Sequence, residues 1–148
     1  MERIHATSVA FKGQAVLLRG EPGSGKSDLA LRLIDEGWDL VSDDYTELQA
    51  DGDVLRAQAP KSIEGLLEVR TIGLVQLPHV RGVCVQAVFD LTTKDDVERL
   101  PEFAQATFEG LDVPCYTLHG LQASAPAKIR MALKAQTNTL FYNHEAEQ

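Results

Sequence analysis

The sequence predicts a mixed, strand-rich α/β fold built as one domain over residues 1–148. Three observations lead there. Short apolar and β-branched runs recur along most of the chain, the signature of strands. The stretch Gly20-Glu21-Pro22-Gly23-Ser24-Gly25-Lys26-Ser27 fits GxxxxGKS and lies between an apolar run, Ala15 to Leu18, and a helical pattern. Only two segments carry helical spacing, so the regular βα alternation of a doubly wound sheet is missing. The expected architecture is a mixed sheet, with the phosphate-loop helix after the second strand and another helix near the C-terminus.

Taken in order, residues 3–11 mix β-branched and apolar positions, and Lys12-Gly13-Gln14 turns the chain into Ala15–Arg19, which reads as an opening hairpin. From Ser27, the apolar residues Leu29, Ala30, Leu33 and Ile34 recur at helical spacing until Gly37 stops them. Asp39-Leu40-Val41-Ser42 reads as a buried strand that ends in the acidic pair Asp43-Asp44. Residues 45–50 and 54–59 flank Asp51-Gly52-Asp53, the strongest hairpin signal in the chain. Leu66 to Arg70 alternates apolar and charged positions, which would put Glu68 and Arg70 on one face, and a further short strand follows through Val75. Val83 to Leu91 is a nine-residue β-type run with Asp90 near its end and is expected to be central. Residues 106–108 and 113–118 read as strands; Ser124-Ala125-Pro126 opens a helix through about Lys134, with proline in its first turn, and the tail from Asn138 looks irregular.

Composition narrows the classes. A chain that is 44% hydrophobic at this length suits one compact core. A net charge of −8 and a pI near 4.9, with no basic run, argue against a nucleic-acid footprint. No apolar run approaches a membrane span and the N-terminus lacks an apolar signal region, so a cytoplasmic location is expected, with no membrane partner. Cys84 and Cys115 have no metal-ligand spacing and are expected to be reduced thiols.

The chemistry-bearing motif is the loop. Gly20, Gly23 and Gly25 let the backbone curl so that successive N–H groups converge on phosphate oxygens, and the helix that follows points its positive end at the anion. Lys26 reaches the β/γ-phosphates and Ser27 offers a hydroxyl to Mg²⁺. Gly20, Gly23, Ser24, Gly25, Lys26, Ser27 and Asp28 are therefore the expected nucleotide-binding residues, with ATP and Mg²⁺ as cofactors.

With these stretches in view, the chain resembles the catalytic domain of HPr kinase/phosphorylase, from about His5 to Pro114. Three landmarks carry the resemblance: the loop continuing as Asp28-Leu29-Ala30-Leu31, the stretch Gly37-Trp38-Asp39-Leu40-Val41-Ser42-Asp43-Asp44, and Leu67-Glu68-Val69-Arg70-Thr71-Ile72-Gly73. The aspartates stand 17 and 18 positions beyond Lys26. The resemblance implies a protein-serine kinase, also a phosphorylase, acting on the phosphocarrier HPr or a paralogue. It implies catalytic roles for His5, Asp43 and Lys26, with Asp43 as general base and acid, and metal contacts for Ser27, Asp44 and Glu68. Arg70 matches the family's signature arginine. Pro22 stands where the family has serine, and Thr71 where it has glycine. The resemblance further implies a short form without the family's N-terminal domain, its C-terminal region reduced to residues 119–134, and leaves a homo-oligomer open.

Two other readings stay open on the residues. Val83 to Asp90 has the apolar-run-then-Asp form of a Walker B strand, so Asp90 would hold Mg²⁺ in a general P-loop NTPase or small-molecule kinase. A nucleotide-binding sensor that turns nothing over is the other. His79, His119 and His144 have no partners at useful spacing and are given no role.

Overall fold

The computed structural model describes residues 1–138 and 140–142. Its elements are β1 Glu2–His5, β2 Thr7–Phe11, β3 Gln14–Arg19, α1 Lys26–Asp35, β4 Asp39–Ser42, β5 Tyr45–Asp51, β6 Val54–Gln58, β7 Leu66–Val69, β8 Gly73–Gln76, β9 Val83–Thr92, β10 Ala104–Phe108, β11 Leu111–His119 and α2 Ala125–Asn138. The mixed, strand-rich architecture with two helices is the expected one.

Three boundaries differ from the sequence reading. The run 3–11 is two strands, because the chain bends at the fully buried Ala6 and sends β1 to pair with β5 while β2 pairs with β3 and β4. The phosphate-loop helix therefore follows the third strand, not the second. Glu68 and Arg70 do not share a strand face, because β7 ends at Val69 and the chain turns there, with Thr71 at φ 72°. The closing helix runs to Asn138, further than its apolar spacing suggested. Of the tail, Thr139 and residues 143–148, His144 among them, lie outside the described residues.

Nine strands form one sheet, with β1-β5-β6-β9-β3-β2-β4 as its path, and β7-β8 form a separate ribbon. The central strand is β9. It is long enough to pair along one edge with β3, in parallel, while its other edge pairs first with β6 and then, from Val88, with β11. Such a strand is covered on both faces and reads as a nearly continuous apolar run. The alternation in β3 shows both coverings. Val16 and Leu18 face a core completed by Leu29, Ala30 and Leu33 of α1 and Ile129 and Leu133 of α2. Ala15 and Leu17 face a second core with Leu48, Leu55, Val85, Val88 and Phe108. Each fully buried Leu or Val contributes about 1.5–3 kcal/mol, so neither face tolerates a polar residue without a partner.

Because β3, β9 and β11 run in parallel and β4 runs with β3, their C-terminal ends emerge on one rim. Antiparallel β2 starts there, with Thr7. The rim therefore gathers the loop after β3, the acidic pair after β4, and the ends of β9 and β11.

Candidate active site

The loop between β3 and α1 is shaped by its glycines. Gly20, Gly23 and Gly25 have φ of 155°, 85° and 101°. A Cβ on Gly20 would meet Ser24 Oγ at 2.5 Å and the Leu91 carbonyl at 2.8 Å, so the position admits no side chain. Gly25 precedes α1 in a left-handed conformation and no side chain caps the helix. The first-turn N–H groups of α1 have no preceding carbonyl to bond, which is the standing requirement for an anion site. Lys26 is buried and folds back, donating from Nζ to the Gly20 carbonyl at 2.6 Å and more weakly to that of Glu21 at 3.4 Å. Ser24 Oγ is buried without a hydrogen-bond partner among the described residues. An unpaired buried hydroxyl inside a ring of backbone donors fits a bound phosphate chain.

Next to the loop stands Asp43, 6% exposed, at the end of β4. A buried carboxylate is tolerated only if its lone pairs are used. Oδ1 accepts from Ser27 Oγ at 2.8 Å, from Thr7 Oγ1 at 3.0 Å and from the Asp44 N–H at 3.1 Å. Among the described residues, Oδ2 accepts only the Glu68 N–H, at 3.4 Å. With about two lone-pair sites on each oxygen, Oδ1 is saturated and Oδ2 retains capacity for a further donor.

The expected site residues thus fall into two groups. Gly20, Gly23, Ser24, Gly25, Lys26, Ser27 and Asp43 come together. Asp44 is exposed, in the left-handed region at φ 65°, so the adjacent aspartates do diverge, by a local twist and not by strand alternation. Glu68 is exposed and contributes its backbone N–H to Asp43. His5 lies at the rim, stacked on Tyr45 with ring centroids 5.0 Å apart, and no hydrogen bond joins it to Asp43 among the described residues. Asp28 pairs with Arg32 at 3.0 Å, and Arg32 in turn donates to the Gly120 and Gln122 carbonyls. Arg32, held by Asp28, therefore ties α1 to the β11–α2 link. Among the described residues no three His, Cys, Asp or Glu form a pre-built metal cluster. Mg²⁺ is ordinarily held by one or two carboxylates together with substrate phosphates, so Ser27 and a neighbouring carboxylate suffice for it.

Asp90 is elsewhere. It faces the second core side of the sheet, opposite α1, where Arg19 Nε donates to Oδ1 at 2.8 Å and Arg19 Nη2 to Oδ2 at 3.2 Å. The Cys115 thiol also donates to Oδ2, at 3.2 Å. Burial first, and then the bond to Asp90, push that thiol up to about 11, so it stays protonated at neutral pH. The bond to Asp90 raises the Arg19 guanidinium above its ordinary value. Both cysteines are free, as expected.

Thr7 was not singled out by sequence reasoning. The available signal was the pair Thr7-Ser8 inside an apolar strand, since buried hydroxyls need partners. Ser8 finds Thr46 Oγ1 at 2.9 Å and Thr7 finds Asp43. Gly120 was also missed: a Cβ there would meet the Ser24 carbonyl at 2.7 Å, so the β11–α2 link packs directly on the phosphate loop.

Known proteins share this fold. A solved structure titled as the HPr(Ser) kinase/phosphatase from Coxiella burnetii matches with a TM-score of 0.82 at 23% identity, over 95% of this chain and 99% of that one. Curated proteins named HPr kinase/phosphorylase are similar in sequence. That of Clostridium acetobutylicum is 40% identical over 81 residues, covering 55% of this chain and 27% of its own. That of Bacillus subtilis is 44% identical over 80 residues, covering 53% of this chain and 26% of its own. The matches thus span about a quarter of those relatives. No described helix is long and apolar enough to cross a membrane. The model of the family described as the HPr serine kinase C-terminal domain matches residues 1–119, most of the chain, so the chain belongs to that family.

Proposed function

We propose that the chain transfers the γ-phosphoryl group of ATP to a serine of an HPr-like phosphocarrier protein, and that the same site returns the phosphoserine to serine by phosphorolysis, the phosphoryl group passing to inorganic phosphate. One observation carries the reading: a buried carboxylate, Asp43, is held by Ser27 and Thr7 beside an uncapped phosphate loop, with one oxygen left to accept a proton. Phosphoryl transfer asks a protein for positioning, charge neutralisation and one proton acceptor. Bound Mg²⁺ supplies charge neutralisation at the phosphate oxygens. The N–H groups of Gly23, Gly25, Lys26 and Ser27, together with the Lys26 side chain, hold the phosphates, Lys26 leaving its loop carbonyls to do so. Asp43 Oδ2 takes the serine proton as the serine oxygen bonds to phosphorus and the bond to ADP breaks. His5, on the rim, lies where the acceptor protein would arrive, and Asp44 and Glu68 would offer carboxylates to the metal.

The Walker B reading of Asp90 is disfavoured, because its carboxylate is committed to Arg19 and Cys115 on the other face of the sheet. General base catalysis is worth about 10²–10⁴ in rate. Asp43→Asn is therefore expected to lose transfer by that order while still binding nucleotide, with Asp90→Asn changing it little. The assay is incubation with ATP, Mg²⁺ and HPr-type proteins, with phosphate located by mass spectrometry. Phosphoserine that vanishes in Asp43→Asn supports the proposal. Label on a metabolite, or a larger loss in Asp90→Asn, would favour the general NTPase, and tight ATP binding with no product would favour the sensor.

A further inference from the structure

A cavity of about 290 Å³ lies on the same rim, beyond the phosphate loop from Asp43. It forms because β10 begins opposite Cys115, leaving the last residues of β11 without a strand partner on that edge. The 94–101 segment and the start of α2 close around the gap. The stacked rings of Phe89 and Tyr116, 5.1 Å apart, line its inner wall. His119 lines it too, and its Nδ1 is buried with no hydrogen-bond partner among the described residues. Lys94, Arg99 and Lys128 give it a basic rim, set against Asp95 and Glu98.

Its position follows from strand order. Reading across the rim from β4 through β2, β3 and β9 to β11, the phosphate loop is in the middle, Asp43 at one side and the cavity at the other. Gly120 and Leu121 join the last two: Gly120 abuts the Ser24 carbonyl, and Leu121 covers Gly25, where a Cβ would come within 2.7 Å of Leu121 Cδ2. With its reacting end at Ser27 and Asp43, on the β4 side, a triphosphate laid along the loop would extend toward β9 and β11. At about 290 Å³ the cavity stands at the lower end of small-molecule pockets, which run to roughly 300–1,000 Å³, a size that suits one small group such as a nucleoside.

We propose that this cavity seats the nucleoside end of the bound nucleotide, with the Phe89–Tyr116 wall against the base, His119 as its buried polar contact, and the basic rim toward the sugar and first phosphate. The inference rests on the phosphate loop binding nucleotide, so its test separates the two. Inorganic tripolyphosphate with Mg²⁺ occupies the loop alone, whereas ATP with Mg²⁺ occupies loop and cavity. Calorimetry compares both in Ala132→Phe, which fills the cavity, and in His119→Ala, which removes one polar group at a strand end and keeps the test valid if the first variant folds poorly.

In His119→Ala the Kd for ATP is expected to rise about threefold to tenfold, the range of one lost hydrogen bond. In Ala132→Phe it is expected to approach that of tripolyphosphate. The Kd for tripolyphosphate stays unchanged in both. Unchanged ATP affinity in both folded variants overturns the proposal, and so does an equal loss for the two ligands, which would make the cavity a prop for the loop. Tripolyphosphate that fails to bind the unaltered protein, or binds Lys26→Ala equally well, would sink the phosphate-loop reading and this one with it.

Discussion

Replacing Thr7 by valine tests the arrangement around Asp43 with little change of shape. Thr7 is fully buried at the start of β2, and its hydroxyl donates to Asp43 Oδ1 at 3.0 Å. Valine keeps the β-branched form that suits a strand and removes the hydroxyl, which donates to Asp43 and also accepts weakly from the Asp44 N–H at 3.3 Å. A hydrogen bond to a charged group is worth about 1.5–3 kcal/mol. Ser27 and the Asp44 N–H still serve the same oxygen, so the loss belongs at the lower end, about 1.5–2 kcal/mol. At about 2–4 °C per kcal/mol for a domain near this size, the midpoint of thermal unfolding should fall by roughly 3–8 °C. Circular-dichroism melts of the unaltered protein, Thr7→Val and Thr7→Ser measure it, the serine variant retaining the donor and most of the stability. Adding Ser27→Ala should cost more than the sum of the single changes, because the two donors share one acceptor. A Thr7→Val protein that melts within about 1 °C of the unaltered one, or above it, refutes the claim that Thr7 holds this carboxylate.

Two further outcomes are expected. Gly120→Ala places a methyl group 2.7 Å from the Ser24 carbonyl; backbone cannot yield cheaply there, so calorimetry should show weakened ATP binding together with an overpacking cost of about 1–3 kcal/mol in urea unfolding. Gly13→Ala, with open space around it, should strain its turn without touching nucleotide affinity, and equal affinities in the two variants would contradict the contact. The second concerns pH. His79 Nε2 meets Glu64 Oε1 at 3.0 Å, which raises the histidine above its ordinary 6.5 and lowers the glutamate below its ordinary 4.5, while Arg81 also pairs with Glu64 and works against the histidine's rise. A raised histidine stabilises the fold fully below 6.5 and loses that contribution as pH climbs through its folded value; the lowered glutamate loses its own as pH falls below 4.5. The melting difference between the unaltered protein and His79→Gln should therefore be larger at about pH 5.5 than at about pH 8.5, and an equal difference would show that the pair is not coupled to folding.

What the sequence determined by itself was local. The spacing of Leu29, Ala30 and Leu33 after a glycine-rich loop specified α1 and the loop that leads into it, because a helix period and a GxxxxGKS turn are written in neighbouring residues. The Asp51-Gly52 turn specified β5 and β6 in the same way, with Gly52 at φ 63°. The apolar run of β9 announced a central strand because both its faces are covered. Tertiary structure decided which acid faces the loop. Asp43 and Asp90 both end apolar strands and look alike in sequence, but pairing register aims one at Ser27 and the other at Arg19 on the opposite face. It also decided the partners. Thr7 meets Asp43 across 36 positions, Glu68 turned out to serve through its backbone, and Gly120 closes on a loop nearly a hundred residues earlier. Such contacts are fixed by how strands order in the sheet, a choice made by burying both faces of β3 and β9 at once, and no short window of residues records it.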